Sequence, residues 1–483
     1  MDDFRFRQVH LDFHTSPEIP EIGAKFNKEE WQQTLKDGHV DSITVFAKCH
    51  HGYSYYPTKV NTMHPNLNFD LLGAQLEACR EIGVKAPVYI SAGLDEKDAN
   101  LHPEWLNRQK HGENLFDDFM TARFHLLCFN TGYLDRLLAE IEEVMELYNP
   151  CEIFLDIVGE RVCYCGKCRA DMKKLGMSYL NDEDAKKFGQ MVYRHYLDEV
   201  YRVVKKHNPE TVIFQNSGHI SKDRPDLYDT LEHYELESLP TGGWGYDHFL
   251  MSAAHARTQR ENFLGMTGKF HGSWGEFGGF MHPNALIYET SLSLALGAGS
   301  SIGDQMHPEG KLNPATFSLI GKAYAEVEKK EPWCKGAKNI SDIGVLSVEA
   351  MGYGRDSEEA RADVGASRAL HETKRLYDLI DKDGDFSKYK LIIMPDYITF
   401  DEKIKAKTDE YLKSGGKLLL SGGSGLDEKG NFCVDAGIKY LGENEFKPTY
   451  FIPDFPTVNG NTEYIMRPVS HRFEVIDAAV HSY

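Results

Sequence analysis

No apolar run of about 18 residues, the length needed to cross a bilayer, occurs in the 483-residue sequence, so no membrane span is expected. The opening MDDFRFRQVH lacks the apolar core of a secretory signal, and a cytoplasmic protein is the expectation. Positive charge is short: 54 Lys and Arg stand against 74 Asp and Glu, a formal net charge of −20. Such a chain repels phosphate backbones and anionic lipid, which excludes nucleic acid and membrane as expected partners. No HExxH helix is present, so a catalytic metal site lacks its usual spacing and no cofactor is expected for catalysis. Cysteine is sparse and odd in number, nine in all, and without a secretory signal these read as thiols or metal ligands, not as a disulfide framework. Internal repeats and low-complexity tracts are missing too.

What is present is a regular alternation. From Phe6 to about Lys335, short apolar runs alternate with amphipathic segments such as Asn68–Ile82, Tyr133–Tyr148 and Glu183–His207. The runs are Gln8–His14, Ser42–Cys49, Ala86–Ala92, Cys151–Val158, Thr211–Ser217, Leu231–Ser238, Phe263–Lys269 and Gly299–Gln305. Eight strands separated by helices predict an α/β chain, a (β/α)₈ TIM-type barrel over 1–338. Asn339–Leu441 reads as a smaller doubly wound α/β domain, with strands Asp342–Ser347, Lys390–Pro395 and Lys417–Leu420 and helices Ala366–Lys382 and Asp401–Ser414. Residues 442–483 read as a strand-rich extension.

The strands place polar groups on one face. In the first, Val9, Leu11 and Phe13 alternate with His10, Asp12 and His14. In the fourth, Ile153, Leu155 and Ile157 oppose Phe154 and Asp156. In the sixth, His233, Glu235 and Glu237 share a side. A barrel axis is ordinarily filled by branched apolar residues, so polar groups near strand C-termini indicate a site. Asp156, directly after Ile153-Phe154-Leu155, stands where a retaining glycosidase needs a nucleophilic carboxylate, ionised to attack; a helix cap is the plainer alternative. The second carboxylate comes from Glu235, Glu237 or Glu276. His10, His14, His50 and His51 can donate to and accept from sugar hydroxyls, or donate to Asp156. Trp244 and Trp274, each followed by Gly, fit stacking platforms on mouth loops, and Asp304 closes the set of substrate-binding candidates. Cys163, Cys165 and Cys168, with Cys128 as fourth ligand, suit one structural zinc; packed reduced thiols are the alternative.

Lys48-Cys49-His50-His51-Gly52-Tyr53 resembles the Lys-His-His-Asp-Gly-Phe signature of the family 29 α-L-fucosidases. His50 matches directly, whereas Cys49, His51 and Tyr53 stand where that pattern has His, Asp and Phe. The resemblance implies that the histidines hold fucose hydroxyls and that Asp156 is the nucleophile. It also implies Glu235, nine residues before Trp244, as acid/base, since Trp244-Gly245-Tyr246 is similar to the family's Trp-Gly-Tyr. The whole arrangement is closer to the family 151 α-L-fucosidases, because Asn339–Leu441 resembles the β-galactosidase trimerisation domain. That domain is a flavodoxin-like fold related to glutamine amidotransferases, but no elbow cysteine is found here. A homo-oligomer acting on a fucosylated oligosaccharide or glycoside follows as the expectation. Two alternatives stand beside it. One is a family 42-like β-galactosidase, which shares the second domain and a similar cysteine cluster but needs Asn-Glu where Leu155-Asp156-Ile157 stands. The other is a barrel that binds sugar without cleaving it.

Overall fold

The computed structural model describes residues 4–113, 124–458, 460, 462–477 and 479–480. The chain divides into two compact units, one of 1–219 with 225–338, the other of 220–224 with 339–483. No helix among the described residues is long and apolar enough to cross a membrane.

The first unit runs β1 (Arg7–Asp12), α1 (Lys28–Asp37), β2 (Ser42–Ile43), β3 (Val45–Lys48), α2 (Leu71–Glu81), β4 (Val88–Ser91), α3 (Glu96–Leu101), α4 (Gly132–Tyr148) and β5 (Glu152–Asp156). It continues through α5 (Gly166–Lys174), α6 (Asp182–His207), β6 (Val212–Gln215), β7 (Tyr234–Glu237), α7 (Asp247–Gln259), β8 (Phe263–Gly268), α8 (Pro283–Ala295), β9 (Gly299–Gln305) and α9 (Pro314–Cys334). Side-chain caps start the principal helices: Asn27 accepts from the Glu30 N–H, Asp70 from Gly73, Thr131 from Tyr133 and Asn313 from Ala315. In α6, acids Asp182, Glu183 and Asp184 fill the first turn and Lys205, Lys206 and His207 the last, matching the helix dipole at both ends.

All strand pairings of this unit are parallel. β9 closes on β1 from Arg7 opposite Ser300 to Asp12 opposite Gln305. The predicted second strand is split at Thr44 into β2, paired with β1, and β3, paired with β4. Thr44 keeps the halves together: its N–H donates to Val9 O, and its hydroxyl accepts from Leu11 N–H. At the other seam Asn216 bridges Glu235, and the Ser217 N–H donates to Glu235 O. The sheet is a closed (β/α)₈ barrel.

Aromatic rings fill part of its interior. Phe46, Tyr89, Phe154 and Phe214 occupy paired positions on four successive strands. Phe46 stacks on Tyr89 at 3.7 Å, and Phe154 meets Phe214 edge-on at 5.0 Å. His10, from the facing strand, sets its ring 5.0 Å from Phe154. These side chains floor the mouth from which Asp156 rises one pleat higher on β5.

The second unit carries a parallel sheet in the order β11-β10-β12-β13, from β10 (Ile343–Leu346), β11 (Asp378–Ile380), β12 (Leu391–Met394) and β13 (Lys417–Leu420). Its helices are α10 (Arg361–Glu372) and α11 (Glu402–Lys413), the latter capped by Asp401. The single helix expected over Ala366–Lys382 is corrected: α10 ends at Glu372, Lys374 takes a left-handed backbone with φ of 58°, and Asp378–Ile380 joins the sheet as β11. Leu379 and Ile380 are buried there, paired with β10. Two antiparallel pairs follow, β14 (Ile438–Glu443) with β17 (His471–Val475) and β15 (Thr449–Phe451) with β16 (Tyr464–Met466).

Candidate active site

Asp156 is the last residue of β5, buried, and held by a donor on each oxygen. The Tyr89 hydroxyl donates to Oδ2 at 2.5 Å and the Ile157 N–H to Oδ1 at 2.8 Å. Tyr89 was not among the sequence candidates, although alternation on β4 sets it and Ser91 on one face, as it sets His10 and Asp12 on β1.

Of the two roles expected for the histidines, donors to Asp156 or to the sugar hydroxyls beside it, the first is corrected: the donors on Asp156 are Tyr89 and the Ile157 N–H. His50 comes nearest, with Nε2 at 3.9 Å from Oδ2. Its other nitrogen lies 2.6 Å from the Ser91 hydroxyl, which itself donates to Leu94 O at 2.7 Å. Ser91 has one proton to give, so His50 Nδ1 carries the hydrogen and Nε2 presents a lone pair. Burial holds the His50 ring well below its usual titration range, so it stays neutral. His14 stacks on His50 at 3.8 Å; its Nδ1 accepts the His50 N–H at 3.1 Å, and its Nε2 lies 2.7 Å from Asp12. His10 is clasped by Tyr89, Phe154 and Trp274. His51 lies farther out, edge-on to Phe124 at 4.8 Å, and burial followed by the His14 charge lowers it to about 4.

The loop carrying His50 and His51 is built on a buried ion cluster. Lys48 Nζ meets Glu140 at 2.7 Å and Asp95 at 3.1 Å. Lys97 pairs with Asp98 at 2.8 Å, and Arg136 lies 3.5 Å from Asp98, so Asp95, Asp98 and Glu140 face three cations. Asp95 also caps α3 by accepting from the Asp98 N–H. Gly52 has φ of +86°, and a Cβ there would lie 2.1 Å from Asp95 Oδ1, which explains the glycine of the motif.

The three glutamate candidates separate. Glu237 ends β7, accepting from Asn216 Nδ2 at 2.7 Å and Trp274 Nε1 at 2.8 Å. Burial raises its carboxyl above the ordinary range, the two donors pull it back, and the charge of Asp156 pushes it up again. Glu235, one pleat deeper, is fully buried, with Oε1 accepting from Ser301 at 2.6 Å and Gln8 at 3.0 Å; His10 Nδ1 lies 4.0 Å from that oxygen, beyond hydrogen-bond reach. Burial, against those donors, pushes it up to about 7. Glu276 is turned back on its own loop, accepting from the Gly272 N–H.

Trp274 is seated against Gly303, where a Cβ would come within 2.3 Å of its ring. Trp244 is 40% exposed and rests on Gly218, a position that also approaches Glu237. The expectation that Asp304 faces the sugar is corrected. It falls on the opposite face of β9 from Ser301 and Gly303, 3.7 Å from Lys269, and burial raises it to about 6.

Cys128, Cys163, Cys165 and Cys168 converge, every sulfur within 4.8 Å of the others. Cys128 Sγ lies 3.4 Å from Cys168 Sγ and 4.0 Å from Cys165 Sγ. A tetrahedron with metal–sulfur bonds of about 2.3 Å has edges of about 3.8 Å, so the four thiols fit zinc.

Residues 27–157 match the family model described as hypothetical glycosyl hydrolase 6, and residues 368–442 match the β-galactosidase trimerisation domain. No curated protein matches the chain. The solved structure of α-L-fucosidase isoenzyme 2 from Paenibacillus thiaminolyticus is 49% identical, with a TM-score of 0.95, over 98% of this chain and 73% of that one. A β-galactosidase from Rahnella sp. R3 shares the fold at 13% identity and a TM-score of 0.75, over 98% of this chain and 81% of its own. Gan42B, a GH42 β-galactosidase from G. stearothermophilus, does so at 14% and 0.72, over 97% and 80%.

Proposed function

The chain belongs to the glycoside hydrolase family of the Paenibacillus α-L-fucosidase, and on that premise we propose that it releases terminal L-fucose from a fucosylated oligosaccharide or glycoside with retention of configuration. The observation that carries the reading is Asp156, at a strand C-terminus with a donor on each oxygen and the His50 lone pair 3.9 Å away. Asp156 attacks the anomeric carbon and forms a glycosyl-enzyme, and a second carboxyl protonates the departing oxygen. Glu237 takes that second role in preference to Glu235. It ends its strand, its proton is favoured by burial and by the Asp156 charge, and Glu235 is sealed beneath it. In the second half-reaction Glu237, now ionised, takes a proton from the water that displaces Asp156. His50 Nε2 accepts from a sugar hydroxyl, while Trp244 offers an exposed ring to the sugar or its aglycone.

A family 42-like β-galactosidase finds Asp156 where its Asn-Glu pair belongs. A panel of nitrophenyl glycosides tests the three readings. Turnover of the α-L-fucoside is expected; turnover of the β-D-galactoside alone, or of neither, overturns it.

The four cysteines would hold one structural zinc, closing the loop after β5; with all positions taken by sulfur the ion supplies rigidity to that loop. Elemental analysis of protein prepared without chelator should find about one zinc per chain. The second unit, through its likeness to a trimerisation domain, is the proposed site of homo-oligomer formation, and light scattering should give a multiple of 54.9 kDa. A cytoplasmic setting, where thiols stay reduced, suits the cysteine cluster.

A further inference from the structure

Ile157, the residue after the proposed nucleophile, has φ of +57°. A β-branched side chain is a genuine outlier in this left-handed region, because its branched Cβ crowds the backbone there. Such a conformation persists where surrounding groups over-determine it. Here they do. The Asp156 carbonyl accepts the Ala92 N–H at 3.2 Å and the Gly93 N–H at 3.1 Å. The Ile157 carbonyl sits where a Cβ on Gly93 would be, 1.8 Å away, so only glycine leaves room for it. The same carbonyl accepts Arg161 Nη1 at 2.9 Å. The Arg161 backbone packs closely on Gly189 of α6, where a Cβ would come within 2.7 Å of the Arg161 carbonyl oxygen.

We infer that Arg161 is a positioning residue for the nucleophile: by clamping the Ile157 carbonyl it holds the strained turn that keeps the Ile157 N–H on Asp156 Oδ1. With the flanking chain fixed, a return of Ile157 to negative φ rotates the peptide plane between Asp156 and Ile157 and carries that N–H away from the carboxylate. Asp156 then loses one of its two donors and the geometry from which it attacks. The inference rests on Asp156 being the nucleophile, and it adds a residue that needs no contact with the sugar.

The test is a cycle between Arg161 and Ile157 on the full chain, with an activated fucoside. Glycine adopts positive φ without the penalty isoleucine meets, so Ile157→Gly removes the strain the clamp opposes and sets its own reference rate. Arg161→Ala should lower kcat about 30-fold with KM changed less than about threefold, and in the Ile157→Gly background the same change should cost less than about threefold in kcat. Arg161→Lys, which keeps a donor for the carbonyl, should recover most of the loss with isoleucine present. It is measured in both backgrounds, so that a folding defect of the alanine variant leaves the comparison intact. Equal losses in the two backgrounds, a loss carried by KM alone, or a lysine variant as poor as alanine overturns the inference. Asp156→Asn separates this from the reading beneath it: if it keeps turnover the nucleophile is wrong, whereas if it is inactive and the cycle is additive only the clamp is wrong.

Discussion

Glu235 and Glu237 lie two residues apart on one face of one strand, and their surroundings differ in kind. The deeper carboxylate meets Gln8 and Ser301, groups from the early and middle parts of their strands, and touches no solvent. The shallower one meets Asn216 and Trp274 and feels the charge of Asp156. Alternation of the strand puts both inside the barrel, and only depth separates a group that can reach a substrate from one that cannot. On the proposed mechanism a raised carboxyl has two meanings here: at the mouth it favours the proton that an acid must deliver, and in the depth it follows from the absence of water alone.

The largest effect that bears on this division is expected at the mouth. Asp156→Asn keeps the shape and removes the attacking charge, and kcat should fall by roughly 10³-fold or more, about 4 kcal/mol of transition-state stabilisation. Because Asp156 raises Glu237 and is no leading cause for Glu235, the same variant should lower the Glu237 carboxyl while leaving Glu235 near its present value; carbon-13 NMR of the two carboxyls reads both. Next, Glu237→Ala should cost about 10²-fold or more on substrates with poor leaving groups and far less on activated ones. Glu235→Gln should stay within about fivefold on both. Equal penalties at the two sites would erase the distinction of depth.

Stability reverses the ranking. Glu235 is raised from an ordinary 4.5 to about 7, so the folded chain binds its proton more tightly than the unfolded one. Its contribution is complete below pH 4.5, where both states are protonated, and is lost as pH climbs through about 7, to the extent of about 3 kcal/mol. Denaturant unfolding at pH 5 and pH 8 should show this decline in the parent and a flatter profile in Glu235→Gln. The smallest effect is expected from Trp274→Phe, which removes a donor that lowers Glu237. The basic limb of kcat/KM should then move up by about half a pH unit, and a downward move would mean that the indole does not act through that carboxylate.

Much of this was legible in the residues. Period-two alternation placed His10, Asp12, Asp156, Glu235 and Glu237 inside a barrel because each strand has one apolar face to bury. The same rule sets Tyr89 and Ser91 of the third strand on the inner face. Depth was not legible, since alternation gives the face of a residue and not its level: Glu235 and Glu237 are equivalent to it, and the partners that enclose Glu235 come from β1 and β9, more than sixty positions distant. Asp304 was misplaced for the opposite reason, its polarity suggesting the mouth when its parity on β9 sends it to Lys269. Across Ala366–Lys382 one helical pattern concealed a three-residue strand, too short for a period of its own.

Trp274 has an optical consequence. The chain has 5 tryptophans, and this one gives its indole hydrogen to Glu237 at 2.8 Å while its ring rests on His10 and Phe270. The emission of an indole depends on the charge at the end of its N–H bond. Each gain or loss of the Glu237 proton should therefore register as a change in fluorescence, which on the proposed mechanism would make Trp274 a label-free reporter of proton transfer. Stopped-flow emission could time that step without a chromogenic leaving group.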